Sequence, residues 1–205
     1  MTKIYLVRHG QSEGNVARVI SGHSNHDLTE EGKAQATATK ELLGDITFDA
    51  VYSSDLQRAI DTAEIIYGQP VPESHQLHAL RERNYGVLEN QPGQLLNDLN
   101  EQNQAHLDSL SAEELWHHQP YPSYETSHQL ATRFVGMLHD IAEQNSGKTV
   151  LVVAHGHSIK TTLVELGYTT MRQLPTGAVK NAAYVEIDFV AGEFVIRNTF
   201  GVDLQ

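Results

Sequence analysis

The fold is decided by one stretch, Thr149-Val150-Leu151-Val152-Val153-Ala154, which is followed directly by His155-Gly156-His157-Ser158. A short run of this kind, with no charged side chain, is typical of a strand that is covered on both faces in the interior of a parallel sheet. On either side of it, strand patterns and helix patterns alternate along most of the chain. This alternation predicts an α/β fold.

The other predicted elements surround this strand. Alternating residues at 184–188 and 194–196, separated by Gly192, indicate an antiparallel hairpin at the edge of the sheet. We therefore expect a mainly parallel sheet between two layers of helices. Further strands are predicted at 3–7 and 50–53, and helices at 29–43, from about 55, at 125–144 and from about 158 to 167.

The chain is expected to form one domain, 1–205, because no repeat, low-complexity tract or linker divides it. Residues 84–122 interrupt the regular pattern with three prolines and two glycines, and they contain only helical fragments. A long irregular segment of this kind is often functional. We interpret it as an insert that forms a lid or sets specificity.

The composition restricts the class of partner. A formal net charge of −12 disfavours nucleic acid and anionic membranes as partners. No apolar segment reaches the roughly 18 residues that a membrane span needs, and the amino-terminal run before Arg8 is too short for a signal peptide. The absence of cysteine fits a cytoplasmic location. The oligomeric state stays open, with a homodimer as one option.

Polar residues follow three of the predicted strands. Arg8-His9-Gly10 follow the first strand, Ser53-Ser54 end the second with Arg58 one turn later, and His155-Gly156 follow the third. Ligands of open α/β sheets bind outside the carboxyl ends of the strands. Arginine holds phosphate oxygens with a charged, planar fork, and glycine lets the backbone approach an oxyanion closely. The pattern predicts a phosphate site in an otherwise acidic protein.

Five motifs follow one another along the chain: LVRHGQSEGN at 6–15, LTEEGKAQA at 28–36, SSDLQRAIDTA at 53–63, LRERNYG at 80–86 and AHGHS at 154–158. In this order they resemble the signatures of the histidine phosphatase superfamily, which has the phosphoglycerate-mutase-like fold. The resemblance covers most of the chain. It implies a three-layer α/β/α sandwich that works without a metal or another cofactor.

The resemblance also implies a role for each matched residue. His9 would be the nucleophile that is transiently phosphorylated, and Glu82 would be the general acid. Three side chains would surround the phosphoryl group and complete the catalytic set: Arg8, Arg58 and His155. Contacts to the phosphate or the substrate would come from Asn15, Gly10, Gln11 and Gly156.

This chemistry requires particular protonation states. His9 must be neutral, with one ring nitrogen held by a hydrogen bond near Gly10, before it can act as a nucleophile. His155 is expected to be protonated, and Glu82 is expected to have a raised pKa so that it can donate a proton. Glu89 and Glu13 are alternatives for the acid, and a purely structural, ion-paired Glu82 is another alternative.

A phosphatase that acts on a small phosphorylated metabolite is the favoured function. The main alternative is a cofactor-dependent phosphoglycerate mutase. The mutases of the family carry several basic residues in the corresponding insert. Residues 91–124 contain no lysine or arginine, so the sequence favours the phosphatase and a monophosphorylated substrate. A non-catalytic phospho-ligand-binding module is a second alternative. A metal site at His155 and His157, or at His117-His118, is a third.

Overall fold

The computed structural model describes residues 1–204. Within this range the strands are β1 (Thr2–Arg8), β2 (Ala50–Ser54), β3 (Gln76–Leu77), β4 (Thr149–Ala154), β5 (Val179–Val190) and β6 (Glu193–Val202). The helices are α1 (Glu13–Val16), α2 (Glu30–Leu43), α3 (Gln57–Tyr67), α4 (Gly93–Gln102), α5 (Gln104–Ser109), α6 (Ala112–His117), α7 (Ser127–Gln144) and α8 (Gly156–Glu165). Short 3-10 turns lie at 73–75, 78–80 and 86–88.

These strands form a single sheet in the order β3-β2-β4-β1-β5-β6. The first four strands run parallel to one another, whereas β5 and β6 form an antiparallel hairpin next to β1. The strand 149–154 is central, and its residues from Val150 onward are buried. The expected mainly parallel sheet with an antiparallel edge is therefore confirmed.

The two faces of the sheet are covered by different helices. Along β1, Ile4 and Leu6 pack in one core with residues of α7 and α8, while Tyr5 and Val7 pack in the other with residues of α2 and α3. This division follows from the pleat of a strand, which sends successive side chains to opposite faces. The result is the predicted α/β/α sandwich.

The predicted helices differ from the observed ones mainly at their first residues. Thr29 caps α2 as expected, because its hydroxyl accepts a 3.0 Å hydrogen bond from the N–H of Gly32. The long helix α7 begins at Ser127 and not at 125. Its cap is Thr126, and Glu125 before it pairs with Arg133 at 2.6 Å.

The segment 84–122 is more helical than its sequence suggests, since it contains α4, α5 and α6. It is attached to the loop after α1, where the N–H of Gly93 donates a 2.7 Å hydrogen bond to the carbonyl of Arg18. A small third core, with Ile20, Tyr85 and Leu88 at its centre, holds this junction together. Among residues 1–204, no helix has the length and apolar character that crossing a bilayer requires.

Candidate active site

A cleft of about 620 Å³ opens at the carboxyl ends of β1 and β4. The strand register places Arg8 opposite Ala154, so the residues that follow them, His9 and His155, come side by side. Their ring centroids lie 5.1 Å apart at an interplanar angle of 63°. Adjacent parallel strands therefore bring together two motifs that are far apart in the sequence.

The imidazole of His9 is buried and has a defined tautomer. Its Nδ1 lies 2.6 Å from the carbonyl oxygen of Gly10, and a carbonyl can only accept, so Nδ1 carries the proton. The lone pair is then on Nε2, which accepts a 3.3 Å hydrogen bond from the Nε–H of Arg58. Burial, followed by the charges of Arg58 and Arg8, holds the pKa of His9 well below its usual value. The ring is therefore neutral, as a nucleophilic imidazole has to be.

Arg58 in the first turn of α3 is fully buried and shapes the wall of the cleft. Its two terminal nitrogens donate to the carbonyls of Ser24 at 2.8 Å and Gly22 at 2.9 Å. Burial is the main reason that the pKa of Arg58 falls to about 10, which still leaves the guanidinium charged at neutral pH. It presents a fixed positive charge next to the His9 imidazole.

Arg8 supplies the second guanidinium. It donates a 2.5 Å hydrogen bond from one terminal nitrogen to the carbonyl of Val179, and its Nε has no hydrogen-bond partner within residues 1–204. Gly156 lies directly against it, since a Cβ at that position would lie 3.3 Å from the Arg8 Nε. The absence of a side chain at 156 leaves room for the guanidinium.

His155 is completely buried, and within the part of the chain that the structure describes neither of its ring nitrogens has a hydrogen-bond partner. Burial and the charge of Arg58 lower its pKa well below the usual value. The protonated state expected from the sequence is therefore not the one that the protein surroundings favour. A phosphoryl dianion between the guanidiniums would oppose these charges and shift the ring towards its cationic form.

Glu82 is held by three backbone N–H groups, those of Arg83 at 2.9 Å and of His157 and Ser158 at 3.0 Å each. Its carboxylate thus caps the amino end of α8. Burial raises the pKa of Glu82, but His157 and the backbone N–H groups outweigh this effect, and the net pKa lies below its ordinary value. The expectation that Glu82 has a raised pKa is wrong for the protein without a substrate, because these donors stabilise its carboxylate.

The two alternative acids lie elsewhere. Glu89 accepts hydrogen bonds from the N–H of His23 at 2.9 Å and from the hydroxyl of Ser24 at 3.0 Å, so it fixes the loop that Arg58 also holds. Glu13 is exposed on α1. Neither residue lines the cleft, whereas Glu82 does.

Two of the predicted phosphate contacts are not where the sequence suggested. The N–H of Gly10 donates to the hydroxyl of Thr62 at 3.1 Å, and the side-chain oxygen of Gln11 accepts from the hydroxyl of Thr29 at 2.9 Å. Neither residue lines the cleft. The reason is that the chain turns after His9 to pack against the amino end of α2.

Asn15 does line the cleft, next to a residue that the motifs did not reveal. Asn181 donates from Nδ2 to the Asn15 side-chain oxygen and to the His9 carbonyl, both at 3.2 Å. It lies at an irregularity of β5, where Ala182 has a φ of 58°. The sequence contains little signal for it, since Asn181 is one of several polar residues in β5.

The metal-site alternative gains no support from the arrangement of side chains. Within residues 1–204, no group of three or more His, Asp or Glu side chains is arranged so that it could hold a metal ion. His155 is buried behind the cleft wall and faces His9, while the His117 and His128 rings lie 4.4 Å apart at a tilt of 41°.

Known proteins resemble this chain over nearly its whole length. The profile of the histidine phosphatase superfamily (branch 1) matches residues 4–200. A Bacillus subtilis protein named uncharacterized phosphatase PhoE is 30% identical over 198 residues, 97% of this chain and 94% of the relative. The 2,3-bisphosphoglycerate-dependent phosphoglycerate mutase 2 of Gloeobacter violaceus is 32% identical over 85% of this chain and 80% of its own length. The solved structure of Bacillus stearothermophilus YhfR superimposes with a TM-score of 0.80 at 26% identity, covering 96% of this chain and 95% of that one.

Proposed function

Because the chain belongs to the histidine phosphatase superfamily (branch 1), we propose that it hydrolyses a phosphate monoester of a small metabolite through a phosphohistidine on His9. The enzymes named among its relatives include both phosphatases and phosphoglycerate mutases. The observation that carries the proposal is the buried, neutral His9 with its Nε2 lone pair beside Arg58. A neutral imidazole next to fixed positive charge is suited to attack on phosphorus.

In the first step, Nε2 of His9 forms a bond to phosphorus while the bond from phosphorus to the alcohol oxygen breaks. The phosphoryl oxygens need positive charge around them, which Arg8 and Arg58 supply. His155 adds to this charge once the dianion is bound. The leaving oxygen takes a proton from the carboxyl group of Glu82, whose pKa the nearby dianion raises.

In the second step, a water molecule attacks the phosphohistidine. Glu82, now a carboxylate, accepts the proton of that water. The bond from Nε2 to phosphorus breaks, inorganic phosphate leaves, and His9 returns to its neutral state. Glu82 therefore serves as the acid in the first step and as the base in the second, because the proton moves away from it in one step and back to it in the other.

A phosphatase is favoured over a mutase by the wall that the insert contributes to the cleft. That wall comes from the first turns of α4 and carries the amides Gln94 and Asn97, and residues 91–124 contain no lysine or arginine. A mutase has to retain a second phosphorylated species while it exchanges the phosphoryl group. Mutase activity is the second candidate, because one relative is named as a mutase. In that reaction a hydroxyl group of the substrate takes the place of water.

The test is a screen of phosphate monoesters, beside an assay for isomerisation of 3-phosphoglycerate. We expect p-nitrophenyl phosphate to be hydrolysed in the presence of EDTA, and His9→Ala to abolish the hydrolysis. His128→Ala, at an exposed position of α7 outside the cleft, is the matched control. Hydrolysis that persists in His9→Ala would exclude His9 as the nucleophile, and isomerisation that is faster than phosphate release would favour the mutase.

The other expectations from the sequence stay predictions. They are a small phosphorylated metabolite as the partner, no nucleic acid or membrane partner, no cofactor, a cytoplasmic location, a homodimer as one option, and the role of 84–122 as a lid or specificity region.

A further inference from the structure

His23 lies in the loop between α1 and α2, outside the five sequence motifs, and it stands between two residues that hold Arg58. The carbonyls of Gly22 and Ser24 accept hydrogen bonds from the two terminal nitrogens of Arg58 at 2.9 and 2.8 Å. This short stretch of backbone therefore fixes the guanidinium next to His9. His23 itself is half-buried and does not line the cleft, so its ring is not placed to contact a substrate.

The ring of His23 reaches the backbone of the proposed proton donor. Its Nε2 lies 2.9 Å from the carbonyl oxygen of Glu82. Because a carbonyl can only accept, Nε2 carries the proton and donates it to this hydrogen bond. The same carbonyl accepts a 2.7 Å hydrogen bond from a terminal nitrogen of Arg133 on α7. The backbone of Glu82 is thus anchored by two side chains, and His23 is the one that comes from the loop around Arg58.

The backbone of this loop is held by bonds that do not involve the imidazole. The carboxylate of Glu89 accepts hydrogen bonds from the N–H of His23 at 2.9 Å and from the hydroxyl of Ser24 at 3.0 Å. It also accepts from the N–H of Tyr85 at 3.2 Å. Replacing the imidazole should therefore leave the loop and Arg58 in place and remove only the bond to Glu82.

We propose that His23 is a positioning residue that holds the proton donor Glu82 in a fixed place relative to Arg58. This inference rests on the proposed function, in which Arg58 stabilises the phosphoryl group and Glu82 protonates the leaving oxygen. Both groups act on the same substrate, so their separation has to be constant. A displacement of about 1 Å can slow a reaction of this kind about 10²-fold. Arg133 and the N–H groups at the start of α8 still hold Glu82 when the ring is absent, so we expect a smaller effect than that.

The experiment compares phenyl phosphate with p-nitrophenyl phosphate in His23→Phe and His23→Gln. Phenolate is the more basic leaving group, so its departure depends more on the proton of Glu82. The value of kcat/KM reports the step in which the alcohol leaves. We expect His23→Phe to lower kcat/KM about 3- to 10-fold for phenyl phosphate, as for one lost hydrogen bond, and less than about twofold for p-nitrophenyl phosphate. His23→Gln restores an N–H donor and should restore the wild-type ratio of the two values.

His78→Phe is the matched control. The His78 ring is exposed and packs edge-on against the ring of His23 at a centroid distance of 5.5 Å, and the substitution should keep the wild-type ratio. An equal change for both esters in His23→Phe, or no change for either, would overturn the positioning role. So would a His23→Gln protein that behaves like His23→Phe, or the same selective loss in His78→Phe.

Hydrogen exchange separates the positioning role from the proposed function. The N–H groups of His157 and Ser158 donate to the Glu82 carboxylate at 3.0 Å each, and NMR gives their exchange rates without a substrate. We expect these rates to rise about 3- to 10-fold in His23→Phe but not in His23→Gln. If the wild type hydrolyses neither ester and the rates still respond, the phosphatase proposal fails and the positioning role stands. Unchanged rates in His23→Phe would overturn the positioning role whatever the activity.

Discussion

The imidazole rings of His9 and His155 lie 5.1 Å apart at the carboxyl ends of β1 and β4. The N–H of His9 donates a 3.0 Å hydrogen bond to the carbonyl of Ala154, the residue before His155. The spacing of the two rings therefore depends on the hydrogen-bond ladder between β1 and β4 and not on a mobile loop. A rigid pair of this kind suits one ring for attack and the other for stabilising charge.

Replacing His155 with asparagine should lower kcat by about 10²- to 10³-fold, the usual effect of losing one group that stabilises transition-state charge. The fold should persist, because no hydrogen bond to the His155 ring is lost within the described residues. Steady-state hydrolysis of p-nitrophenyl phosphate measures kcat, and circular dichroism monitors folding. His128→Asn is the control. A folded His155→Asn protein with less than a threefold change in kcat would contradict the assigned role.

Glu82→Gln should separate the two chemical steps. The p-nitrophenolate group leaves without help from an acid, so the first turnover should stay fast, whereas hydrolysis of the phosphohistidine loses its base and should slow about 10²- to 10⁴-fold. Stopped-flow absorbance should then show a burst of p-nitrophenolate that is close to one equivalent of enzyme. Glu13→Gln, at an exposed position outside the cleft, should behave like the wild type. Linear kinetics without a burst in Glu82→Gln, at a reduced rate, would count against this division of roles.

The stability of the protein should fall as the pH drops below about 6.5. The pKa of His157 is about 4 in the folded protein, against 6.5 for an ordinary histidine side chain, and the pKa values of His9 and His155 are lowered as well. Between pH 6.5 and pH 4 the unfolded chain binds more protons than the folded protein, so a lower pH favours unfolding. The contribution is complete above pH 6.5 and is lost as the pH falls towards 4.

His157→Gln tests this linkage through a single ring. Urea unfolding at pH 7.5, 6.5 and 5.5 gives the free energy of unfolding at each pH. One proton taken up on unfolding changes this free energy by about 1.4 kcal/mol per pH unit, so the decrease from pH 6.5 to 5.5 should be smaller in the variant by about 1 kcal/mol. An unchanged slope would mean that the His157 ring is protonated equally in both states.

Gly10→Ala should destabilise the protein because the loop after β1 packs tightly on α2. An added Cβ at residue 10 would lie 2.3 Å from the carbonyl oxygen of Gly32, a backbone atom that cannot rotate away. We expect a loss of about 1–3 kcal/mol in the free energy of unfolding. Gly136→Ala in the middle of α7 meets nothing within 4 Å and should stabilise the protein by about 0.5–1 kcal/mol. Equal effects of the two substitutions would contradict the packing argument.

The sequence by itself determined the fold class and most of the elements. Uncharged runs such as 149–154, helix caps such as Thr29 and the apolar stripes of the helices are local signals, and the covered sheet follows from them. It also predicted that His9, Arg58 and His155 lie close together, because each lies at or just beyond the carboxyl end of a strand, where parallel strands meet. The sequence underestimates the helical character of 84–122, since its helices are short and depend on contacts outside the segment, such as those of the start of α4 with Arg18 and of α6 with α7.

Only the tertiary structure decided which contacts each group around His9 makes. The side chain of Gln11 accepts a hydrogen bond from Thr29, and Asn181 contacts His9 from an irregular part of β5. Backbone N–H groups at the start of α8 bind the carboxylate of Glu82. The protonation states of His155 and Glu82 could not be predicted from the sequence. A pKa depends on burial and on charges that come from distant parts of the chain, and no local pattern of residues records these distances.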